Sequence, residues 1–251
     1  MRSIRRFLGC ALAGAVVAWS ALSGQAAAQI STPVDQERIE RIIHDYLLEH
    51  PEVVIEALQA AQVKQKQEQE VASRAAIAAK RKELLEDSAA PTGGNPKGDV
   101  TLVEFFDYRC PYCKQVRPSI EALLKQDPNL RIVYKEWPIL GPPSVFAAHV
   151  AFAALKQGKY ERFHSAMMAT KGEITEDVIL KVATGAGLDV TRVKIDMAAP
   201  EIDQAIKRNY DLADALSIRG TPGFVIGETL IPGAVDIQTL KQRINDVRNA
   251  H

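Results

Sequence analysis

Apolar positions recur along this chain with two different periods, and the change of period divides it. Ile39, Ile42, Ile43, Tyr46 and Leu47 fall at i, i+3, i+4, i+7 and i+8, one stripe along a helix. His50-Pro51 interrupts the stripe, Pro51 being suited to the first position of a new helix. Val54, Ala57, Leu58 and Ala61 then continue the same period, so residues 34–61 read as two short amphipathic helices. Neither can hide its stripe alone; they need the main domain or another copy of themselves. Residues 64–70 are wholly polar, and an alanine-rich stretch runs on to Leu85. High helix propensity with few large apolar residues predicts an exposed helical spacer over 62–90. The cluster Pro91-Thr92-Gly93-Gly94-Asn95-Pro96 marks a domain boundary.

From residue 99 the pattern becomes α/β. Val100-Thr101-Leu102-Val103-Glu104-Phe105-Phe106 is a near-continuous apolar run of strand length, suited to a buried central strand. A helical pattern follows through Val116, Ile120, Leu123 and Leu124, and residues 129–136 read as a second strand. Strand, helix and strand at this spacing make a βαβ unit. Residues 144–216 are helical throughout, broken at Gly158, Gly172, Gly185-Ala186-Gly187 and Pro200. Short strands over 223–226 and 229–231 form a hairpin, and a helix over 236–247 closes the chain. No internal repeat is visible.

Composition alters this picture at the N-terminus. The chain has 251 residues, 47% apolar and 25% charged, an ordinary globular balance. Its net charge of zero gives no electrostatic argument for a nucleic-acid partner. Arg2, Arg5 and Arg6 precede an apolar run from Phe7 to Leu22, and Ala26-Ala27-Ala28 offers a small-residue cleavage site. Together these describe a signal peptide over 1–28, and hence export to the periplasm. The run is short for a bilayer span, and most of it follows Cys10 instead of preceding it, unlike a lipidated cysteine. Removing 1–28 takes three arginines and no acids, leaving 28 basic against 31 acidic residues. Cys10 leaves as well, so that Cys110 and Cys113 are the cysteines of the mature chain.

That pair carries the candidate chemistry. Cys110-Pro111-Tyr112-Cys113 follows a buried strand and opens a helix, where unpaired N–H groups and a partial positive charge stabilise a thiolate. The second cysteine, one helical turn on, can attack a mixed disulfide and release the product. Pro111 fixes the backbone at the helix start without an N–H to satisfy, and Tyr112 belongs at an exposed rim. A disulfide closing so short a loop is a weak structural staple. Zinc normally takes four protein ligands, and the five histidines show no ligand spacing. Copper(I) ligation by the two thiolates stays open beside the redox couple. Downstream, Thr221-Pro222 between Gly220 and Gly223, just before a strand, suits a tight turn and a cis bond.

The run Glu104-Phe105-Phe106-Asp107-Tyr108-Arg109-Cys110-Pro111-Tyr112-Cys113, with Gly220-Thr221-Pro222-Gly223 downstream, resembles the thioredoxin-fold DsbA family. The helical stretch 144–216 matches that family's helical insertion. Residues 42–58 resemble the N-terminal region of its ScsC branch. The resemblance implies an α/β thioredoxin fold over 91–251 with an all-helical insertion, preceded by an N-terminal helical arm and spacer over 29–90. It implies Cys110 as nucleophile, Cys113 as resolving thiol, and Pro222 as a cis-proline facing them. Thr221 would offer backbone hydrogen bonds to a substrate strand, with Pro111 and Tyr112 beside it. Glu104 falls where the family keeps a buried acid, tuned by burial to exchange a proton with Cys113, and Lys135 is expected as its charge partner. No cofactor is implied. Tyr112 stands where DsbA-like oxidases carry histidine, and Thr221 precedes the proline as in isomerase-type relatives. Both favour isomerase or reductase action on exported cysteine-containing proteins, with a membrane redox partner and a homo-oligomer, a trimer in the ScsC branch, formed through 29–90. A DsbA-like oxidase, a copper-tolerance protein and a holdase-like chaperone are the alternatives.

Overall fold

The structure, a computed structural model, describes residues 35–250. The signal peptide read over 1–28, and Cys10 within it, lie outside the described residues. Two compact units divide between Leu58 and Gln59.

In the first unit, α1 (Gln36–Glu49) starts at Asp35, whose side chain accepts a hydrogen bond from the Arg38 N–H. It ends at His50, and α2 (Pro51–Ala79) begins on Pro51, so the chain breaks where the stripe is interrupted. No residue of α1 is buried. Ile39, Ile42, Ile43 and Tyr46 are 41–58% exposed, and Val54, Ile55 and Leu58 are exposed as well.

In the second unit the remainder of α2 is followed by α3 (Arg81–Leu85), β1 (Thr92–Gly94), β2 (Val100–Phe106), α4 (Pro111–Gln126) and β3 (Leu130–Glu136). Then come α5 (Pro142–Lys156), α6 (Tyr160–Ala169), α7 (Glu176–Gly185), α8 (Val190–Asp196), α9 (Pro200–Ala215), β4 (Gly223–Ile226), β5 (Thr229–Pro232) and α10 (Ile237–Asn249). The sheet runs β1-β3-β2-β4-β5, with β2 and β3 parallel and the other pairs antiparallel. The β2–α4–β3 crossover thus sits at the centre, and β4–β5 is a hairpin closed by a two-residue turn with Gly227 at a φ of 58°.

Strand alternation sends β2 side chains to two different layers. Leu102 and Phe106 join Ile132, Tyr134 and Phe224 in a core closed by α4, α5 to α8 and α10. Val103 and Phe105 join Val133, Val225 and Trp137 in a second core closed by Ile77, Leu84, Leu212 and Leu216. Burial on both faces explains the unbroken apolar run in β2.

Two features differ from the expectation for 62–96. The alanine-rich stretch does not stay exposed: Ile77 and Leu84 are 3% and 1% exposed, each burial contributing about 2 kcal/mol. Behind them, Lys135 donates to the Glu83 carbonyl at 2.9 Å and Arg131 to the Leu85 carbonyl at 2.9 Å, satisfying the end of α3. The Gly-rich cluster, read as a boundary, forms strand β1 against β3. At Gly94, φ is 67° and a Cβ would lie 2.4 Å from the Leu130 carbonyl oxygen, so only glycine lets the strands approach.

Candidate active site

The turn from β2 into α4 is organised by Asp107, which is 1% exposed. Its carboxylate accepts from the Arg109 N–H at 2.7 Å, the Leu140 N–H at 2.9 Å and the Ser144 hydroxyl at 2.8 Å. One side chain therefore ties the approach to Cys110 to the first helix of the insertion. Cys110 is the N-cap of α4 in extended conformation, with Pro111 at the first helical position.

Both cysteines are free thiols, yet their surroundings differ. Cys110 is 4% exposed and its Sγ donates to the Thr221 carbonyl at 3.2 Å. The Thr221-Pro222 peptide bond is cis. The Cys113 thiol, hydrogen-bonded to the Cys110 sulfur, lowers the Cys110 pKa to about 6 against the opposing effect of burial. The Thr221 side chain and the backbone of Cys113 and Tyr112 lower it further, as a helix N-terminus should. Cys113 is fully buried, and burial first, then the hydrogen bond to Cys110 and the charge of Glu104, pushes its thiol far up. The Cys110 thiol therefore ionises far more readily than the Cys113 thiol. Tyr112 is 60% exposed at the rim.

Glu104 faces the α4 side of β2, 1% exposed, and its Oε2 finds no hydrogen-bond partner among the described residues. Burial raises its pKa to about 7, with Glu161 and Cys110 adding to the rise and Arg117 opposing it. The seven residues singled out in the sequence are thus distributed over three elements: Glu104 on β2, Cys110 to Cys113 at the head of α4, and Thr221-Pro222 ahead of β4. The hydrogen bond from Cys110 to Thr221 joins the last two.

Lys135 is not the partner of Glu104. In the parallel register Glu104 lies opposite Tyr134 and Lys135 opposite Phe105, which places Lys135 on the other face of the sheet. There its ammonium meets Asp87 Oδ2 at 3.1 Å. The alternation of a strand decides the question, and one residue of register separates the two outcomes.

Two buried polar networks escaped the sequence reading. Arg117, one turn beyond Cys113, donates to Glu121 at 2.9 Å, Ser165 at 2.9 Å and the Tyr134 hydroxyl at 3.0 Å. Its spacing of i+4 from Cys113 was the available signal. Glu136 accepts from the Tyr108 and Tyr160 hydroxyls, both at 2.9 Å, and His164 Nδ1 lies 3.1 Å from the Tyr108 hydroxyl. Burial holds His164 well below its usual pKa, hence neutral, and Glu136 well above its own. No local pattern announces these contacts between distant helices.

A parallel β–α–β core, an antiparallel hairpin and a Cys-x-x-Cys helix head facing a cis X–Pro bond define a thioredoxin-fold thiol–disulfide oxidoreductase of DsbA/ScsC type. The chain belongs to the DSBA-like thioredoxin domain family, which matches residues 101–245. The N-terminal domain of copper resistance protein ScsC matches residues 35–68. A thioredoxin-like oxidoreductase from Silicibacter pomeroyi is 46% identical, covering 68% of this chain and 99% of its own, with a TM-score of 0.67. The thiol-disulfide exchange protein alpha-DsbA2 from Wolbachia pipientis is 29% identical over 71% of this chain and 97% of its own, at 0.67. ScsC from Proteus mirabilis in a transitional conformation is 29% identical over 84% and 95%, at 0.64. The chain spans 24% of the length of the first curated relatives it matches, Na(+)/H(+) antiporters of Salinispora arenicola and Salinispora tropica, 31% and 30% identical over 153 residues. Among the described residues of this chain no helix is long and apolar enough to cross a membrane.

Proposed function

We propose that this chain is an exported, periplasmic protein that exchanges disulfides in other exported proteins through Cys110, acting as an isomerase or reductase. The observation that supports exchange chemistry, in either direction, is the contrast between the sulfurs: the Cys110 pKa is lowered to about 6 beside the Thr221 carbonyl, while burial pushes that of Cys113 far up.

The Cys110 thiolate attacks one sulfur of a substrate disulfide; that S–S bond breaks, the other substrate sulfur leaves with the electron pair, and a Cys110–substrate disulfide forms. For reduction, the Cys113 proton passes to Glu104 and the Cys113 thiolate attacks Cys110. The Cys110–Cys113 bond forms, the substrate leaves as a dithiol, and two electrons have moved from protein to substrate. For isomerisation, a substrate thiolate attacks its own mixed disulfide, regenerating the Cys110 thiolate with no net electron transfer. Pro222 and Thr221 present backbone to the substrate strand, and Pro111 and Tyr112 border it. A membrane redox partner restores the dithiol.

Tyr112 in place of histidine, and Thr221 before the proline, support the isomerase or reductase direction. So does the exposed stripe Ile39, Ile42, Ile43 and Tyr46, which suits an arm that assembles copies of the chain, a trimer in our reading, through residues 29–90. The depressed Cys110 pKa favours the opposite direction, since a stabilised thiolate makes the disulfide more oxidising. Recovery of activity from a scrambled-disulfide substrate, measured with the reduction potential and the sedimentation of the full chain, decides between them. An oligomer that reshuffles disulfides, losing both properties separately in Ile43→Asp and Cys110→Ser, is expected. A monomer with a strongly oxidising potential would establish the oxidase instead. Copper(I) titration of the reduced protein tests the remaining alternative: binding that outcompetes exchange would make the thiolates ligands.

A further inference from the structure

The buried acid of this site is left without its expected lysine, because Lys135 serves the opposite face of the sheet. Among the described residues the site face nevertheless buries one permanent cation. Arg117 is 6% exposed and projects from the same side of α4 as Cys113, four residues on. Its guanidinium is held by the Tyr134 hydroxyl at 3.0 Å, and Tyr134 is the cross-strand neighbour of Glu104. Glu104 Oε2 has no hydrogen-bond partner among the described residues, so burial acts on that oxygen first and the charges around it second.

We propose that Arg117 is a positioning residue for the resolving half of the exchange: its charge, delivered from α4, keeps Glu104 able to accept the Cys113 proton. This rests on the exchange reading above. In the step concerned, the Cys113 proton moves to the Glu104 carboxylate, and the Cys113 thiolate displaces the substrate sulfur from Cys110. The substrate disulfide is the oxidant.

The charges facing Glu104 can be taken element by element. From α4 come Arg117, with Glu121 bound to it, and Cys113; from the head of that helix comes Cys110. From β3 come Tyr134 and the buried Glu136. From α6 come Glu161, 3.5 Å from the Arg117 guanidinium, and the neutral His164. From β4 and α10 come the apolar Phe224, Leu240 and Ile244. Arg117 is the one member of this set that favours the ionised acid; Glu161 and a Cys110 thiolate oppose it, and the buried Glu136, held well above its usual pKa, stays protonated.

The test uses the full chain, reduced, with glutathione disulfide as oxidant. Two quantities are followed against pH: the Glu104 carboxyl carbon by NMR, assigned with Glu104→Gln, and the single-turnover rate of glutathione disulfide reduction. Arg117→Met should raise the Glu104 midpoint and slow the reaction at pH 7 by about fivefold. Arg117→Lys, which keeps the charge, should restore both. Glu161→Gln, at a half-exposed position, should move the midpoint the opposite way, which decides the matter if Arg117→Met does not fold. Unmoved midpoints in Arg117→Met and Glu161→Gln would overturn the inference, as would equal shifts in the Met and Lys variants. A wild-type chain unable to reduce glutathione disulfide would remove the exchange reading and this inference together. A wild type that reduces it, with variants that do not shift, would remove only the role of Arg117.

Discussion

The two faces of the sheet are covered equally well and hold very different things. The face toward α4 encloses Glu104, Glu136, Arg117 and His164, with an unpartnered carboxyl oxygen and an unpartnered imidazole nitrogen among them. The opposite face encloses Lys135, whose ammonium donates to Asp87 and the Glu83 carbonyl, and Trp137, whose indole N–H has no partner among the described residues. One face leaves two ionisable groups, Glu104 and His164, short of a partner; the other spends its buried ammonium on holding α3 in place, and its unpartnered indole does not titrate. Burial alone does not mark a reactive group. An unpartnered ionisable group close to a thiol of lowered pKa is the sharper mark.

The contrast can be broken at its strongest point first. Cys110→Ser should reduce exchange on a scrambled substrate to background while leaving the thermal transition near wild type. Retained turnover would sink the assignment of the nucleophile. On the far face, Lys135→Met should cost about 3 kcal/mol or more in urea unfolding, because Asp87 loses its partner, with the pH dependence of Cys110 alkylation unchanged. A shifted alkylation profile would mean that the faces are not electrically separate.

Glu104→Gln reverses that pattern. The folded carboxyl keeps its proton up to about 7, whereas the unfolded one releases it near 4.5. Folding therefore loses stability as pH rises between those values, and the whole penalty stands above them. The variant should be more stable than wild type by about 3 kcal/mol at pH 8 and equal to it below pH 4.5, while resolving mixed disulfides more slowly. Equal stability at both pH values would show that the acid is solvated. The smallest effect belongs to Thr175→Ala, which removes the N-cap of α7 on the site face and should cost about 1 kcal/mol without altering any pH profile. It measures what mere destabilisation of that face does to the chemistry.

Much of this arrangement can be read from local pattern. The central strand, the cysteine helix, the hairpin and the closing helix have periodic or turn-bounded sequences, and each is found within a few residues of its expected limits. Thr92–Gly94 is different: two glycines in a row look like a break, and only the neighbouring strand makes them part of a sheet. Ile77 and Leu84 sit among alanines and charges, so their stripe is too sparse to announce a buried face. Lys135 turns on parity, which needs the register between β2 and β3 as well as the strands themselves. The Arg117 and Glu136 networks join α4, β3 and α6, and contacts of that range leave no mark in a single sequence.

The anchoring of Leu140 and Ser144 by Asp107 has a consequence for how such proteins diversify and can be engineered. The insertion is fastened to the turn before Cys110 at its first residues, and to α4 again through Lys114 on the Thr170 carbonyl and Arg117 on Ser165. The bends around Gly172 and Gly187, where nothing lies within 4 Å of an added Cβ, are then free joints. Changes at the exposed side of those bends should leave Cys110 in place so long as Ile179, Ala183 and Val193 keep filling the core. Specificity and reactivity become separately editable parts of one chain.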